Sequence, residues 1–120
     1  MHADMLSEIL GELNSTSADI EGSGIISTDG LIMAALIPQN LDEDRLGAMC
    51  AAMLCLGSRA AEDLARGMLE QVLITGECGH VLMTRAGEEG VLSVLAKPNA
   101  ELGLIFRDVK RATQSIIALM

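Results

Sequence analysis

The segment ADIEGSGIISTDGLIMAALIP, residues 18–38, has the pattern of two β-strands joined by a tight turn. In its first half, apolar or glycine residues mostly alternate with polar ones, the period of two that indicates a strand. Asp29-Gly30 then separates two apolar runs, which favours a hairpin because a tight turn needs a residue with positive φ. Residues 31–37 form the second strand, and Pro38 ends it because proline has no backbone N–H to donate.

Helical patterns lie on both sides of this hairpin. Apolar residues at i, i+3, i+4 and i+7 predict an amphipathic helix over residues 3–15: these are Leu6, Ile9, Leu10 and Leu13. After Pro38, either Asn40 or Asp42 can cap a second helix that runs to about residue 65. Gly67 can supply its stop, since glycine readily adopts the left-handed conformation found after helices.

The remaining third of the chain predicts three more strands and a last helix. The strands cover residues 68–75, 80–84 and 91–96, with turns at residues 76–79 and 86–90. Apolar spacing from residue 102 to about 116 marks the helix. The expected fold is therefore α+β, a sandwich in the order helix-β-β-helix-β-β-β-helix. It has a five-stranded, mainly antiparallel sheet and forms one domain over residues 1–120.

The charge distribution excludes one large class of function. The chain carries 17 acidic and 8 basic residues, a net charge of −9, and only one aromatic residue, Phe106. A nucleic-acid binder needs basic residues against phosphate and aromatic residues for base stacking, so we expect no nucleic-acid partner. The first 44 residues hold nine acidic residues and no Lys or Arg. This concentration of negative charge either attracts a basic partner or serves solubility alone.

The middle helix is more apolar than one small sheet requires. On a helical wheel, one stripe is expected to face the sheet: Leu46, Met49, Cys50, Met53, Gly57, Ala60 and Leu64. A neighbouring flank of mostly small residues allows close approach of a second helix: Gly47, Ala51, Leu54 and Ser58. The outer side also includes Ala48, Ala52 and Cys55 beside Arg59. Cover by an identical subunit or another partner is one interpretation, and alanines serving only as good helix formers is the other.

No convincing catalytic, cofactor or metal site is present. Gly22-Ser23-Gly24 lies within a strand with no Lys or Arg near it, so it does not match a phosphate-binding loop. Cys78 and His80 share one side of an extended segment, but they fall in a turn and lack an acidic partner. We therefore predict no enzyme activity, no cofactor and no metal.

Cysteine usage and hydropathy indicate where the protein works. Three cysteines with no signal peptide predict the reducing cytoplasm. The longest nearly apolar run, residues 46–57, is shorter than the roughly 20 residues that cross a bilayer, so no membrane insertion is expected.

Three segments together resemble the roadblock family. Residues 24–33, GIISTDGLIM, look like the family's first hairpin, and residues 67–74, GMLEQVLI, look like its third strand. Residues 95–104, LAKPNAELGL, look like the entry into its last helix. The family includes the dynein light chain roadblock and the bacterial MglB-type regulators of Ras-like small GTPases.

This resemblance implies a profilin-like fold and a dimer. The third strands of two subunits would pair edge to edge, and the middle helices would pack side by side. The implied interface consists of Gly47, Ala51, Leu54, Ser58, Leu69, Gln71 and Leu73. The surface left for a partner consists of Ala48, Ala52, Cys55 and Arg59. The resemblance implies no arginine finger, so Arg45 and Arg59 are candidates only for contacts with the partner.

Three functions therefore compete. The first is a homodimeric, non-enzymatic module that binds or regulates a Ras-like small GTPase. The second is a scaffold or adaptor subunit that joins protein complexes without affecting GTP hydrolysis. The third is a thiol enzyme or small-ligand sensor that uses Cys78 and His80.

Overall fold

A computed structural model describes residues 2–120 as three helices and five strands. In chain order the elements are α1 (His2–Thr16), β1 (Ile20–Ser27), β2 (Ile32–Leu36), α2 (Glu43–Asp63), β3 (Gln71–Gly76), β4 (Gly79–Ala86), β5 (Gly90–Ala96) and α3 (Leu102–Leu119). This order confirms the predicted α+β arrangement.

The five strands form one antiparallel sheet in the order β2-β1-β5-β4-β3. The long β1–β5 and β4–β5 pairings occupy its centre, and β2 and β3 are its edges. On one side β3 pairs with β4, and on its other side no strand of residues 2–120 pairs with it. Its outer backbone N–H and C=O groups are therefore free to pair with another strand.

The first hairpin has the predicted turn. Gly30 has a φ of +93°, a conformation that side chains disfavour. The Ser27 amide donates to the Leu31 carbonyl at 2.8 Å, and the Leu31 amide donates to the Ser27 hydroxyl at 3.0 Å. Asp29-Gly30 is thus the reversal between the two strands, as the sequence predicts.

The two faces of the sheet are covered unequally. Helices α1 and α3 together cover one face, over a core that includes Leu10, Ile25 and Ile116. Helix α2 alone covers the other, over a small buried cluster of Ile26, Cys50, Met83 and Val91. The single-helix face therefore leaves apolar surface exposed along α2 and β3.

The ends of α2 explain two differences from the sequence-based boundaries. At the start, the Asp42 carboxylate accepts a hydrogen bond from the Asp44 amide at 2.9 Å, which identifies the cap. At the end, Ala65 and Gly67 have φ values of +57° and +87° and reverse the chain. The helix consequently stops at Asp63 rather than residue 65, and β3 starts at residue 71 rather than 68.

The rotation of α2 on the sheet also differs from the prediction. Of the residues expected to face the sheet, Leu46, Cys50 and Met53 do so, but Met49 is 60% exposed. Leu64, which is 69% exposed, lies beyond the end of the helix. Gly47, expected on a flank, is buried instead. A Cβ atom on Gly47 would overlap the carbonyl oxygen of Gly30, so the glycine lets the helix backbone touch the hairpin turn. Gly47 therefore lies on the buried side of α2, and Met49 lies outside it.

Candidate interaction surface on α2 and β3

One side of α2 carries a continuous exposed stripe. Its members are spaced by alternating steps of four and three residues, the heptad spacing of helices that pack side by side. The stripe consists of Arg45, Met49, Ala52, Leu56, Arg59 and Asp63, all of them exposed. Its centre is apolar, with Leu56 61% exposed, and its ends are charged. Exposed apolar patches of this kind mark interaction sites in soluble proteins.

The stripe borders the free edge of the sheet. A cleft of about 320 Å³ separates α2 from strands β3, β4 and β5, and its walls are almost entirely apolar. Arg45 and Met49 line its helix side, and Ile74 and Val81 line its strand side. Leu73 and Ile74 on β3 are each 40% exposed. The stripe and β3 therefore form one continuous surface, which we call the α2–β3 surface.

The predicted small-residue flank lies on the other side of α2. A Cβ atom on Gly30 would lie 3.2 Å from the Cβ of Ala51, and Gly47 meets the same turn. Leu54 packs against the cluster beneath α2, and Ser58 is half-buried. The small residues at 47 and 51 thus leave space for the hairpin of the same chain. The sequence pattern had instead suggested that they leave space for a second helix.

The other predicted interface residues fall into two groups. The residues predicted as a partner surface, Ala48, Ala52, Cys55 and Arg59, are all exposed, and two of them, Ala52 and Arg59, belong to the stripe. On the strand, Gln71 and Leu73 are exposed, whereas Leu69 precedes β3 and its side chain would lie 3.1 Å from a Cβ on Gly57. Met49 and Leu56 were not identified as surface residues, although the heptad spacing of residues 45–63 signals them.

Cys78 and His80, which were considered as a catalytic pair, do not contact each other through the imidazole nitrogens. His80 Nδ1 lies 3.0 Å from the Thr75 hydroxyl, and its Nε2 lies 3.1 Å from the Pro98 carbonyl oxygen. Both ring nitrogens are therefore occupied by partners other than Cys78, which is exposed in the β3–β4 turn.

The third thiol is buried. Burial raises the pKa of the Cys50 thiol above its ordinary value, and the neighbouring Ser93 hydroxyl offsets only part of the rise. The thiol is therefore neutral near pH 7, which makes it a weak nucleophile. Among the side chains of residues 3–120, no three His, Cys, Asp or Glu are grouped so as to hold a metal ion. Within the same range, no helix has the length and apolar character needed to span a bilayer.

Comparison with known proteins identifies the family. The Roadblock/LC7 domain model matches residues 5–96. The uncharacterized protein MJ1340 of Methanocaldococcus jannaschii is 41% identical over 115 residues, which cover 96% of this chain and 99% of that protein. Among solved structures, Myxococcus xanthus MglB superposes with a TM-score of 0.90 at 17% identity, covering 98% of this chain and 92% of MglB. LokiProfilin2, in a complex with rabbit actin, has a TM-score of 0.69 at 18% identity, covering 98% of this chain and 97% of the profilin. These likenesses confirm the predicted fold, and the chain belongs to the Roadblock/LC7 domain family.

Proposed function

We propose that this protein is a homodimeric module that binds a Ras-like small GTPase and is not itself an enzyme. Membership of the Roadblock/LC7 family makes it a regulatory or binding module. One observation carries the dimer: an exposed apolar stripe on α2 lies beside an unpaired edge strand. An exposed apolar edge strand invites uncontrolled pairing unless a defined partner covers it.

The charges of the stripe support pairing with a second copy. If two α2 helices pack antiparallel about the middle of the stripe, Ala52 of each lies opposite Leu56 of the other. The same register brings Arg45 opposite Asp63 of the second copy, because the two residues are equally far from that centre. The charged ends are therefore complementary to themselves, and the small Ala52 allows close approach.

The outer side of α2 then remains available to another protein. Ala48 and Cys55 are exposed on the side of α2 away from the sheet, next to the stripe. In the proposed dimer, two such helices lie side by side and form a platform. The resemblance to MglB-type proteins favours a Ras-like small GTPase as the protein that this platform binds.

Paired substitutions of two exposed alanines on α2 test the dimer. Ala52→Glu places two carboxylates close to the dimer axis, and we expect dimer dissociation to increase at least 100-fold, about 3 kcal/mol. Ala48→Glu makes the same chemical change one helical turn away and should leave the mass unchanged. Sedimentation equilibrium of the full chain measures both. A wild-type protein that is monomeric at tens of micromolar contradicts the dimer.

A charge exchange tests the register within the same interface. Arg45→Asp and Asp63→Arg should each weaken the dimer, because each places like charges opposite one another. The double variant restores opposite charges and should recover most of the affinity. A double variant as weak as the single ones would show that these two residues do not meet.

GTPase binding is tested with a Ras-like GTPase from the same organism, loaded with GTP or GDP. We expect the wild-type dimer to bind and the Ala48→Glu dimer to bind at least tenfold more weakly. Failure of the wild-type dimer to bind any such GTPase contradicts the GTPase proposal while leaving the dimer intact. Binding without any change in the rate of GTP hydrolysis would instead favour the adaptor function.

A further inference from the structure

The face of the sheet opposite α2 carries two rows of opposite charge. On α1, Asp4, Glu8 and Glu12 are exposed and follow one another every four residues, so they form a row along the helix. On the neighbouring helix α3, the exposed cations are Arg107, Lys110 and Arg111. The two helices pack side by side, and each presents three charges of one sign.

These rows do not neutralise each other within the chain. Among the side chains of residues 3–120, the one ion pair joins Arg107 Nε to Asp108 Oδ1 at 3.7 Å, and both residues belong to α3. Glu12 and Arg111 line the same groove between the two helices, yet they form no ion pair. The acidic row and most of the basic row are therefore available to charges outside the chain.

We infer that this α1/α3 face binds the same face of a second copy, with α1 of each chain over α3 of the other. A twofold axis that lies in the contact plane between the helices brings each acidic row onto the partner's basic row. A face with equal rows of both signs is thus complementary to itself, which is the requirement for a symmetric contact. A partner that is wholly acidic or wholly basic would be repelled by one row.

Exposed apolar side chains give this face some area to bury. Met5 on α1 is 46% exposed, and Leu104 and Ile117 on α3 are each 49% exposed. Most of the face is nevertheless polar, so the contact should be weak and sensitive to salt. Screening shortens the reach of exposed charges to about 10 Å at 0.1 M salt and about 3 Å at 1 M salt.

This contact is separate from the proposed α2–β3 dimer. The α1/α3 face and α2 lie on opposite sides of the sheet, so one chain can use both contacts simultaneously. With both contacts, the chains form a closed assembly of four if the two twofold axes cross at right angles, and an open row of dimers otherwise. With the α1/α3 contact alone, the protein forms a dimer that depends on salt.

Sedimentation equilibrium of the full chain in 50 mM and 500 mM NaCl tests the inference. We expect one association step to weaken at least tenfold at the higher salt. Glu12→Lys and Arg111→Glu should each weaken that step at least tenfold at 50 mM NaCl. Glu12 and Arg111 line one groove, so they lie at one height along the two helices and meet their counterparts across the twofold axis. Combining both changes in one chain again places opposite charges across that axis, and its affinity should return to within threefold of the wild type. Circular dichroism and thermal unfolding confirm that each variant is folded.

Two results would overturn the inference. One is association that ignores salt and both single substitutions, and the other is a double variant as weak as the single ones. The Ala52→Glu variant separates this contact from the α2–β3 dimer. If Ala52→Glu still associates in a salt-dependent manner, the α1/α3 contact is supported whatever happens to the other. If it is monomeric at 50 mM NaCl, the α1/α3 contact is refuted.

Discussion

Replacing Gly47 with alanine tests how α2 packs on the sheet. In an ordinary exposed helix, glycine to alanine is stabilising by roughly 1 kcal/mol, because alanine loses less backbone entropy. At this position the added methyl group would overlap the Gly30 carbonyl oxygen and lie 3.3 Å from Cδ1 of Ile32. The first of these neighbours is backbone, which cannot move aside as a flexible side chain can.

The expected size follows from these opposing terms. Forcing one methyl group into a closely packed contact costs about 1–3 kcal/mol, and the helix preference of alanine offsets about 1 kcal/mol. Because the overlap is with a backbone oxygen, the cost is expected in the upper part of that range, about 2–3 kcal/mol, and Gly47→Ala should lower the free energy of unfolding by about 1–2 kcal/mol. For a domain of this size, the melting temperature should fall by roughly 4–8 °C.

Gly103 supplies the matched control. It is exposed in α3, and a Cβ atom there would have no neighbour within 4 Å. Gly103→Ala should therefore leave stability unchanged or raise it by at most about 1 kcal/mol. Urea unfolding of both variants and the wild type, at one protein concentration, gives the comparison. The reasoning about α2 would be refuted by a Gly47→Ala protein that is as stable as Gly103→Ala.

Three further predictions concern buried polar groups and thiols. A disulfide-exchange reagent at pH 8 should modify Cys55 and Cys78 within minutes, whereas Cys50 should react only on unfolding, as mass spectrometry of modified peptides would show. Because burial raises the pKa of Cys50 above 9.0, the native state holds this proton more tightly than the unfolded state does. The stability contributed by the protonated Cys50 thiol is complete below pH 9 and is lost above it. The melting temperature of the wild type should therefore fall more than that of Cys50→Ala between pH 8.5 and 10.5. The buried Ser23 hydroxyl donates to Asn14 Oδ1 at 2.6 Å, and Ser23→Ala should lower the free energy of unfolding by about 1–2 kcal/mol in urea titration.

The elements of this fold could be predicted because local chemistry determines them. The positive φ of Gly30 follows from the Asp-Gly turn, and the start of α2 follows from the capping carboxylate of Asp42. The end of α2 was less predictable, because Ala65 adopts a left-handed conformation that alanine seldom takes. The sequence pattern predicted that Gly67 ends the helix, because glycine favours this geometry. In the structure the chain turns earlier, at Ala65.

The rotation of α2 could not be predicted from the helix alone. Its wheel contains two adjacent apolar arcs, one centred near Leu46 and one that includes Gly47 and Leu54. Both arcs satisfy the rule that apolar residues face a sheet. Both arcs in fact contribute buried residues, and the contact that buries Gly47 is made by Gly30, a residue on another element whose carbonyl oxygen leaves no room for a Cβ atom. A tertiary contact of this kind has no periodic signal in the sequence.

That rotation also determines which surface remains for other molecules. Because Gly47 is drawn against the hairpin, the stripe centred on Ala52 and Leu56 points toward the free edge of β3. A helix rotated by half a turn would bury those residues and turn Gly47, Leu54 and Ser58 toward the edge instead. The same close contact that packs α2 onto its own chain therefore exposes the apolar stripe that we propose for the dimer. If Gly47→Ala loosens α2, dimer affinity should fall along with stability, even though Gly47 lies on the other side of the helix.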